Sequence, residues 1–412
     1  MIKPQMRKTA TLLSLMIAIS ILSVCCRQLT TTSASEAESA TPINSRDYCP
    51  AIHALIKNAK SNIRIMAYQT FFYTDFPDSD SNLFIKELGE ARKRGVQVWV
   101  LLETSNWDEN VEAQNKEYGK RLEAEGVTVF FDKFDITSHQ KVAIVDDYAT
   151  VVASNNWSHY SLWQNNEVAV IAWSAPVAKA FSDYMNERLI EAGHQPLPPT
   201  SAVKKVDAKK LGYKTYPAQQ MIPIPNREYF PKVHEAFQNA QKRIRVLQRT
   251  AQYYTILPSY SQKELKPGEP VSQMNTLLKD LIEAKKRNVD VQVVLDAEMR
   301  KRKSTGDWKV DTANEDFAMR LLAGDVAVFY DSLETQTHAK MVMVDDWVVV
   351  GSTNWTHNAI EQGNEASIMI QSKELAQVYY QYFEDRKKEG IPVTPETDLN
   401  AMKNKMEQED KQ

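Results

Sequence analysis

The stretch SHQKVAIVDDYATVVASNNWSHYSLWQNNE at 138–167 returns in pattern as THAKMVMVDDWVVVGSTNWTHNAIEQGNE at 337–365. A duplication of this length, with His-x-Lys, Ser-x-Asn-Trp and Asn-Glu in the same order, commits the chain to two similar structural units. The likeness extends upstream. YCPAIHALIKNAKSNIRI at 48–65 lines up with YFPKVHEAFQNAQKRIRV at 229–246, and VQVWVLL at 96–102 with VDVQVVL at 289–295. The second copy is longer through two insertions of loop-like composition, 252–273 and 299–309. One carries Tyr253, Tyr254, Leu257 and Tyr260, the other the basic run Arg300 to Lys303.

Each copy alternates helical and strand periodicity. LFIKELGEARKRG and LLKDLIEAKKRN space their apolar residues for a helix, end on Gly95 and Asn288 at the C-cap position, and run straight into Val-rich strands. A second amphipathic helix then leads into VTVFFD and VAVFYD. This order predicts an α/β fold of two pseudo-symmetric halves packed about a pseudo-twofold axis, where like residues would meet. The expected boundaries are 47–195 and 223–392, joined by a Pro- and Lys-rich linker at 196–222, with a charged tail at 393–412.

Ahead of the first half, Lys3, Arg7 and Lys8 precede an apolar run from Thr9 to Val24, then Cys25 and Cys26. Residues 1–26 read as an export signal, too short for a comfortable membrane span, and 27–46 as a polar tether. Leu22-Ser23-Val24-Cys25 resembles a bacterial lipobox, with Val24 where a small residue is usual. Export is therefore expected, to a periplasmic lipoprotein anchored at Cys25 or to a secreted form. Only Cys49 lies near the globular body, so no internal disulfide framework is expected there. Fifty basic and 53 acidic residues give a net charge of −3, which excludes a polycation built to coat nucleic acid; any anion site is local.

The motif strands can be read geometrically. His139 and Lys141, like His338 and Lys340, are two apart and point to one face of a strand; Ser154 with Asn156, and Ser352 with Asn354, do the same on the next. An imidazole, an ammonium, a hydroxyl and a carboxamide per half suit a phosphate group, with Ser154, Asn156, Ser352 and Asn354 expected on its oxygens. Asp146 and Asp345 sit seven residues beyond their histidines, roughly 20 Å along a strand, and are expected to shape turns. The carboxylate after the second strand, Glu167 or Glu365, is the better partner for each imidazole.

HQKVAIVD…ASNN and HAKMVMVD…GSTN resemble the signature of the phospholipase D superfamily, H-x-K-x(4)-D followed by G-S-x-N, and the resemblance runs from about Asp47 to Pro392. Ala153 replaces the motif glycine in the first half, and the turn after Asp345 is one residue shorter. The resemblance implies two α/β/α sandwich halves with one active site shared at their interface, and a metal-free covalent mechanism in which one histidine attacks phosphorus and the other protonates the leaving oxygen. It assigns His139 as nucleophile and His338 as general acid, and the twofold pattern keeps the reverse open. Such chemistry needs one neutral and one protonated imidazole, so their pKa values must separate. Lys141, Lys340, Asn156 and Asn354 would stabilise the phosphoryl oxygens. No metal cluster or nucleotide loop is evident, so no cofactor is expected.

Trp157 and Trp355 are expected to pack beneath the site, and His53 and His234 to be solvated. His159 and His357 either line the mouth or cap a helix, and Trp163 is either buried or available to lipid or a base. The 252–273 insertion is a candidate lid or interfacial loop. A phospholipid-directed enzyme working at a membrane surface, as a monomer with both motifs in one chain, is the leading expectation. A metal-independent endonuclease binding nucleic acid through the basic loop is the alternative, and a phosphate-binding surface protein without activity the third.

Overall fold

A computed structural model of the chain describes residues 38–200, 205–261, 264–301 and 307–409. The apolar N-terminal run, Cys25 and Cys26 lie outside these residues, as does most of the basic run after Arg300.

The first half comprises β1 (Ser39–Pro42), α1 (Tyr48–Asn58), β2 (Asn62–Ala67), α2 (Asp80–Lys93), β3 (Gln97–Leu102), α3 (Glu109–Ala124) and β4 (Thr128–Phe131), followed by β5 (Val142–Val145), β6 (Ala149–Ala153), α4 (His159–Trp163), β7 (Ala169–Trp173) and α5 (Ala175–Glu191). After β8 (Tyr216–Pro217), the second half repeats the series with β9 (Gln220–Pro225), α6 (Tyr229–Asn239), β10 (Arg243–Gln248), α7 (Gln273–Lys286), β11 (Asp290–Leu295) and the hairpin β12 (Met299–Lys301) and β13 (Trp308–Val310). It closes with α8 (Glu315–Ala323), β14 (Ala327–Tyr330), β15 (Lys340–Val344), β16 (Trp347–Gly351), α9 (His357–Glu361), β17 (Ala366–Gln371), α10 (Lys373–Glu389), β18 (Ile391–Pro392) and α11 (Leu399–Glu409).

Local chemistry sets the boundaries. Gly95 (φ 87°) and Asn288 (φ 65°) take the left-handed conformation that ends α2 and α7 and frees the chain to enter β3 and β11. Ser174 and Ser372 cap α5 and α10 by accepting from the amides of Val177 and Leu375.

The two sheets have the same plan. Their strand orders are β4-β3-β2-β5-β6-β7-β1-β8 and β18-β14-β11-β10-β15-β16-β17-β9, so β1 in one matches β9 in the other. β2, β3 and β4 are parallel, and β5, β6, β7 and β1 continue antiparallel. Alternate side chains then serve different cores. Ile63 and Ile65 of β2 enter a core closed by α1 and α2, and Ile244 and Val246 of β10 do the same in the second half. Met66 and Leu247 point the other way into a central core that also takes Phe181 from α5 and Phe383 from α10, so one apolar layer joins the halves.

Several sequence expectations are corrected. The polar segment 27–46 is not a tether throughout, because Ser39–Pro42 pairs with β7 as a full member of the sheet. The linker supplies β8 and the start of β9 and buries Leu197 and Val206. The charged tail contains α11, with Leu399 buried and Met402 and Met406 packed on the second-half core. His53 is not simply solvated: it bridges Asp80 (2.8 Å) and Glu87 (2.7 Å) of the neighbouring helix, and His234 meets Asp280 at 2.6 Å. Trp157 and Trp355 are buried as expected, donating from Nε1 to the Tyr48 and Tyr229 hydroxyls.

Candidate active site

The residues just before β5 and β15 bring the halves together. Ser138 bridges Asn364 and Thr337 bridges Asn166, strand to strand across the interface. The His139 amide donates to Asn364 O (2.8 Å) and the His338 amide to Asn166 O (2.9 Å). Since Asn166 and Asn364 directly precede Glu167 and Glu365, this pairing delivers each glutamate to the other half's histidine. His139 Nδ1 lies 3.0 Å from both carboxylate oxygens of Glu365, and His338 Nδ1 lies 3.0 Å from Glu167 Oε2. Tyrosines on the central helices secure the exchange: Tyr184 donates to Glu365 O at 3.1 Å and Tyr382 to Glu167 O at 2.9 Å. With Nδ1 committed to a carboxylate, Nε2 is the nitrogen each ring can offer a substrate.

Both lysines are buried, and each ammonium donates to the carbonyl of its own motif histidine: Lys340 to His338 O at 2.6 Å, and Lys141 to His139 O. Lys141 also lies over the Tyr68 ring, 4.6 Å from its centroid, and that ring meets His139 edge-on at 4.6 Å. Burial drives the ammonium of Lys141 down to about 7 and that of Lys340 well below the usual lysine range. Both imidazoles are lowered for the same reason, with the lysines adding to the effect; His338 falls to about 3. Burial alone would raise Glu167, but His338, Lys340 and Ser154 outweigh it and hold the carboxylate at about 2. Burial thus favours the neutral form of both imidazoles in the unliganded site, and an anionic phosphate entering beside them would favour a proton on one.

Ser154 and Ser352 were expected on phosphate, and the structure corrects this. Ser154 Oγ donates to Glu167 at 2.5 Å and accepts from the Val168 amide; Ser352 Oγ donates to Glu365 and accepts from Ala366. Both hydroxyls are fully buried under the glutamates, where they hold carboxylates rather than a ligand. Asn156 and Asn354 do reach a cavity, and Oδ1 of each is buried without a hydrogen-bond partner among the described residues. An unpaired Oδ1 only accepts, so a phosphoryl oxygen would be met by the Nδ2 donor of each amide.

Asp146 and Asp345 lie apart from this cluster. Each occupies a left-handed turn (φ 55° and 53°) and accepts backbone amides from the loop before β2 or β10: Lys60, Ser61 and Asn62 on Asp146, and Gln241, Lys242 and Arg243 on Asp345. They are structural clamps. Ala153 in place of glycine is matched across the sheet: Ala153 pairs with Ala169, whereas Gly351 pairs with Ser367.

Sequence reasoning missed a further ring of acids. Glu103, just after β3, accepts the Ser138 amide at 2.6 Å, and Asp296, at the matching position just after β11, accepts the Thr337 amide at 2.6 Å. The aligned strand ends VLLE and VVLD were the available signal. Asp296 is salt-bridged to Arg249 at 3.2 Å, and Arg249 stands where the first half has Tyr68.

Two openings reach the histidines. A cleft of about 1020 Å³ is lined by His139, Tyr68, Trp107, Tyr260, His357 and Asn354, among others. A pocket of about 530 Å³ is lined by His338, Arg249, Arg300, Tyr160, Asn156 and again Tyr68 and Asn354, so the two openings meet at those last two side chains. His159 is exposed, whereas His357 is buried by the first insertion, with Nε2 2.8 Å from Ser261 Oγ.

The family described as "Cardiolipin synthase, PLD-like domain" matches residues 52–189 and 233–387. Cardiolipin synthase A of Shigella boydii serotype 4 (strain Sb227) is 24% identical over 349 residues, covering 80% of this chain and 65% of that protein. Cardiolipin synthase A of Escherichia coli O157:H7 gives the same identity and coverage. The chain thus spans about 65% of the length of these curated relatives. Among solved structures, phosphatidylserine synthase from Haemophilus influenzae Rd KW20 matches with a TM-score of 0.60 at 15% identity, over 87% of this chain and 88% of that one. Polyphosphate kinase from Porphyromonas gingivalis matches at 0.52 and 11% identity, over 90% of this chain and 56% of that one. At these identities the two structures share the fold.

Proposed function

The chain belongs to the phospholipase D superfamily, in the family of cardiolipin synthase-like PLD domains, and from that premise we propose that it is a phospholipid phosphodiesterase that moves a phosphatidyl group through a covalent phosphohistidine. The observation that carries this reading is the crossed pair of histidine–glutamate contacts, which leaves two Nε2 atoms and two buried lysines for one phosphodiester.

In the proposed reaction His139 Nε2 attacks phosphorus and the bond to the head-group oxygen breaks. His338, carrying a proton on Nε2 once the anionic phosphate is bound, gives it to that oxygen, leaving a phosphatidyl group on His139. Water or a second alcohol then approaches, returns a proton to His338 and takes the phosphatidyl group, freeing His139. Lys141, Lys340, Asn156 and Asn354 stabilise the phosphoryl oxygens as charge shifts. The names of the curated relatives favour transfer to an alcohol on a lipid substrate. Export, with or without lipid on Cys25, belongs to the same reading, as does action as a monomer with both motifs in one chain. No described helix is long and apolar enough to cross a membrane.

The test uses protein lacking residues 1–37, the His139→Ala and His338→Ala variants, EDTA throughout, and phosphatidylcholine or phosphatidylglycerol vesicles beside single- and double-stranded DNA. Head-group release lost in both variants supports the proposal, and added ethanol then separates transfer from hydrolysis. DNA cleavage lost in both, with lipid untouched, would replace it with the nuclease reading, and abolition by EDTA would remove the metal-free mechanism. A lipid with a p-nitrophenyl head group assigns the roles: it needs no acid, so it should restore turnover to His338→Ala and not to His139→Ala.

A further inference from the structure

The large apolar side chains left exposed are not scattered. Trp107 and Tyr260 line the cleft beside His139, from opposite halves of the molecule. Phe134 lies between the cleft-lining residues Lys133 and Asp135, and Ile256, 77% exposed, is on the same insertion as Tyr260. Around the pocket beside His338, Tyr160 lines the wall, and Phe76, 67% exposed, is on the loop that supplies Tyr73. Among the described residues, only Ile190 on α5 and Met319 on α8 of the exposed large hydrophobics belong to other helices instead of these loops and α4. Exposed apolar residues of this size, lining an opening or within a few residues of its lining, mark a surface that meets something apolar.

We propose that the rim formed by Trp107, Phe134, Ile256 and Tyr260 is a bilayer-docking surface that seats the cleft on the membrane, so that a phospholipid reaches His139 without crossing water. This rests on the lipid reading of the active site and names the surface that reading requires. The residue types fit the interfacial zone, where aromatic rings combine an apolar body with a polar edge. Lys133 and Arg227 line the cleft and Arg300 the pocket, all three exposed, so cations stand among the apolar groups where anionic head groups would lie. A nucleic acid is the poorer occupant. Ile256, the most exposed of these side chains, offers a base no stacking face.

The test uses the Phe134→Ser/Ile256→Ser double variant, since neither side chain lines the cleft beside His139 or the pocket beside His338. Binding to phosphatidylcholine/phosphatidylglycerol vesicles, measured by sedimentation, should weaken about tenfold or more. Turnover of a short-chain phosphatidylglycerol kept below its micelle concentration should stay within about twofold of the parent. A Phe134→Trp/Ile256→Trp variant should bind vesicles more tightly, which guards against a fold defect in the serine variant. Unchanged vesicle binding in both variants overturns the proposal, as does loss of single-stranded oligonucleotide binding with vesicle binding intact. If the parent binds vesicles through these residues yet turns over no soluble phospholipid, the reaction assignment falls and the docking surface stands.

Discussion

His139 Nδ1 is held at 3.0 Å by the carboxylate of Glu365, a residue 226 positions later and in the other half of the molecule. Glu167 does the same for His338. A histidine fixed this way keeps one tautomer and one orientation, with the carboxylate ready to balance an imidazolium. Glu365→Gln is expected to lower kcat by ~100-fold to 10,000-fold. Because Glu365 acts through His139, the double variant with His139→Ala should be little worse than His139→Ala alone, as a double-mutant cycle on head-group release would show.

Lys141 is expected to set an alkaline limit. Burial brings its ammonium down to about 7, so kcat/KM should fall as pH rises through that value, and Lys141→Arg should move the limb upward because a guanidinium stays charged. The same burial costs stability. The folded value lies below the ordinary 10.5, so between about 7 and 10.5 the unfolded chain binds the extra proton and stability climbs with pH. Lys141→Met, measured at pH 7, should be inactive and melt ~2 °C or more higher, whereas a lower Tm would show that the lysine's contacts outweigh its desolvation.

Acid acts on His338 and Glu167 in the same direction. His338 falls from 6.5 to about 3 on folding, so between those values the unfolded chain takes the proton and stability drops as pH falls. Glu167, held at about 2, contributes stability that is present above 4.5 and lost as pH falls through about 2. Denaturant titrations between pH 6.5 and 4.5 should show His338 contributing ~1.4 kcal/mol per pH unit at most, and His338→Gln should flatten that part of the slope.

Asp146 should matter to folding and not to chemistry. Its carboxylate satisfies the amides of Lys60, Ser61 and Asn62 from a left-handed turn. Asp146→Ala is expected to cost ~2–4 kcal/mol in chemical denaturation, with kcat per folded molecule unchanged.

Gly351 and Ser367 form a matched pair. A Cβ at Gly351 would come within 2.2 Å of Ser367 Oγ and 2.4 Å of Ala366 O, while the first half accommodates Ala153 opposite Ala169. Gly351→Ala should destabilise by ~1–3 kcal/mol, and Ser367→Ala should recover part of that loss.

Much of this site was legible because it is written twice. The His-x-Lys pairs, the carboxamides and the two glutamates were found by aligning one half with the other, and the turn role of Asp146 and Asp345 followed from strand length alone. What alignment could not say was which glutamate serves which histidine, since near-identical copies do not encode how they face each other. Ser154 and Ser352 were misread because strand alternation gives the face of a side chain but not its depth, and the glutamates take the space between hydroxyl and cavity. Ser39–Pro42 passed for tether because four small or polar residues carry no periodic signal. Yet Pro42, Ile43 and Arg46 match Pro223, Ile224 and Arg227, and that faint continuation of the repeat marked a strand whose partner lies across the sheet.

The crossed carboxylates also bear on inheritance. In a duplicated gene one copy can usually decay while the other keeps the work, but here damage to Glu167 is felt at His338 and damage to Glu365 at His139. Neither copy is a spare. Cut within 196–222 and made as two polypeptides, neither fragment would hold a complete imidazole–carboxylate pair, so each would be silent alone and active only on mixing. The molecule is, in effect, an obligate heterodimer whose two partners are translated as one chain.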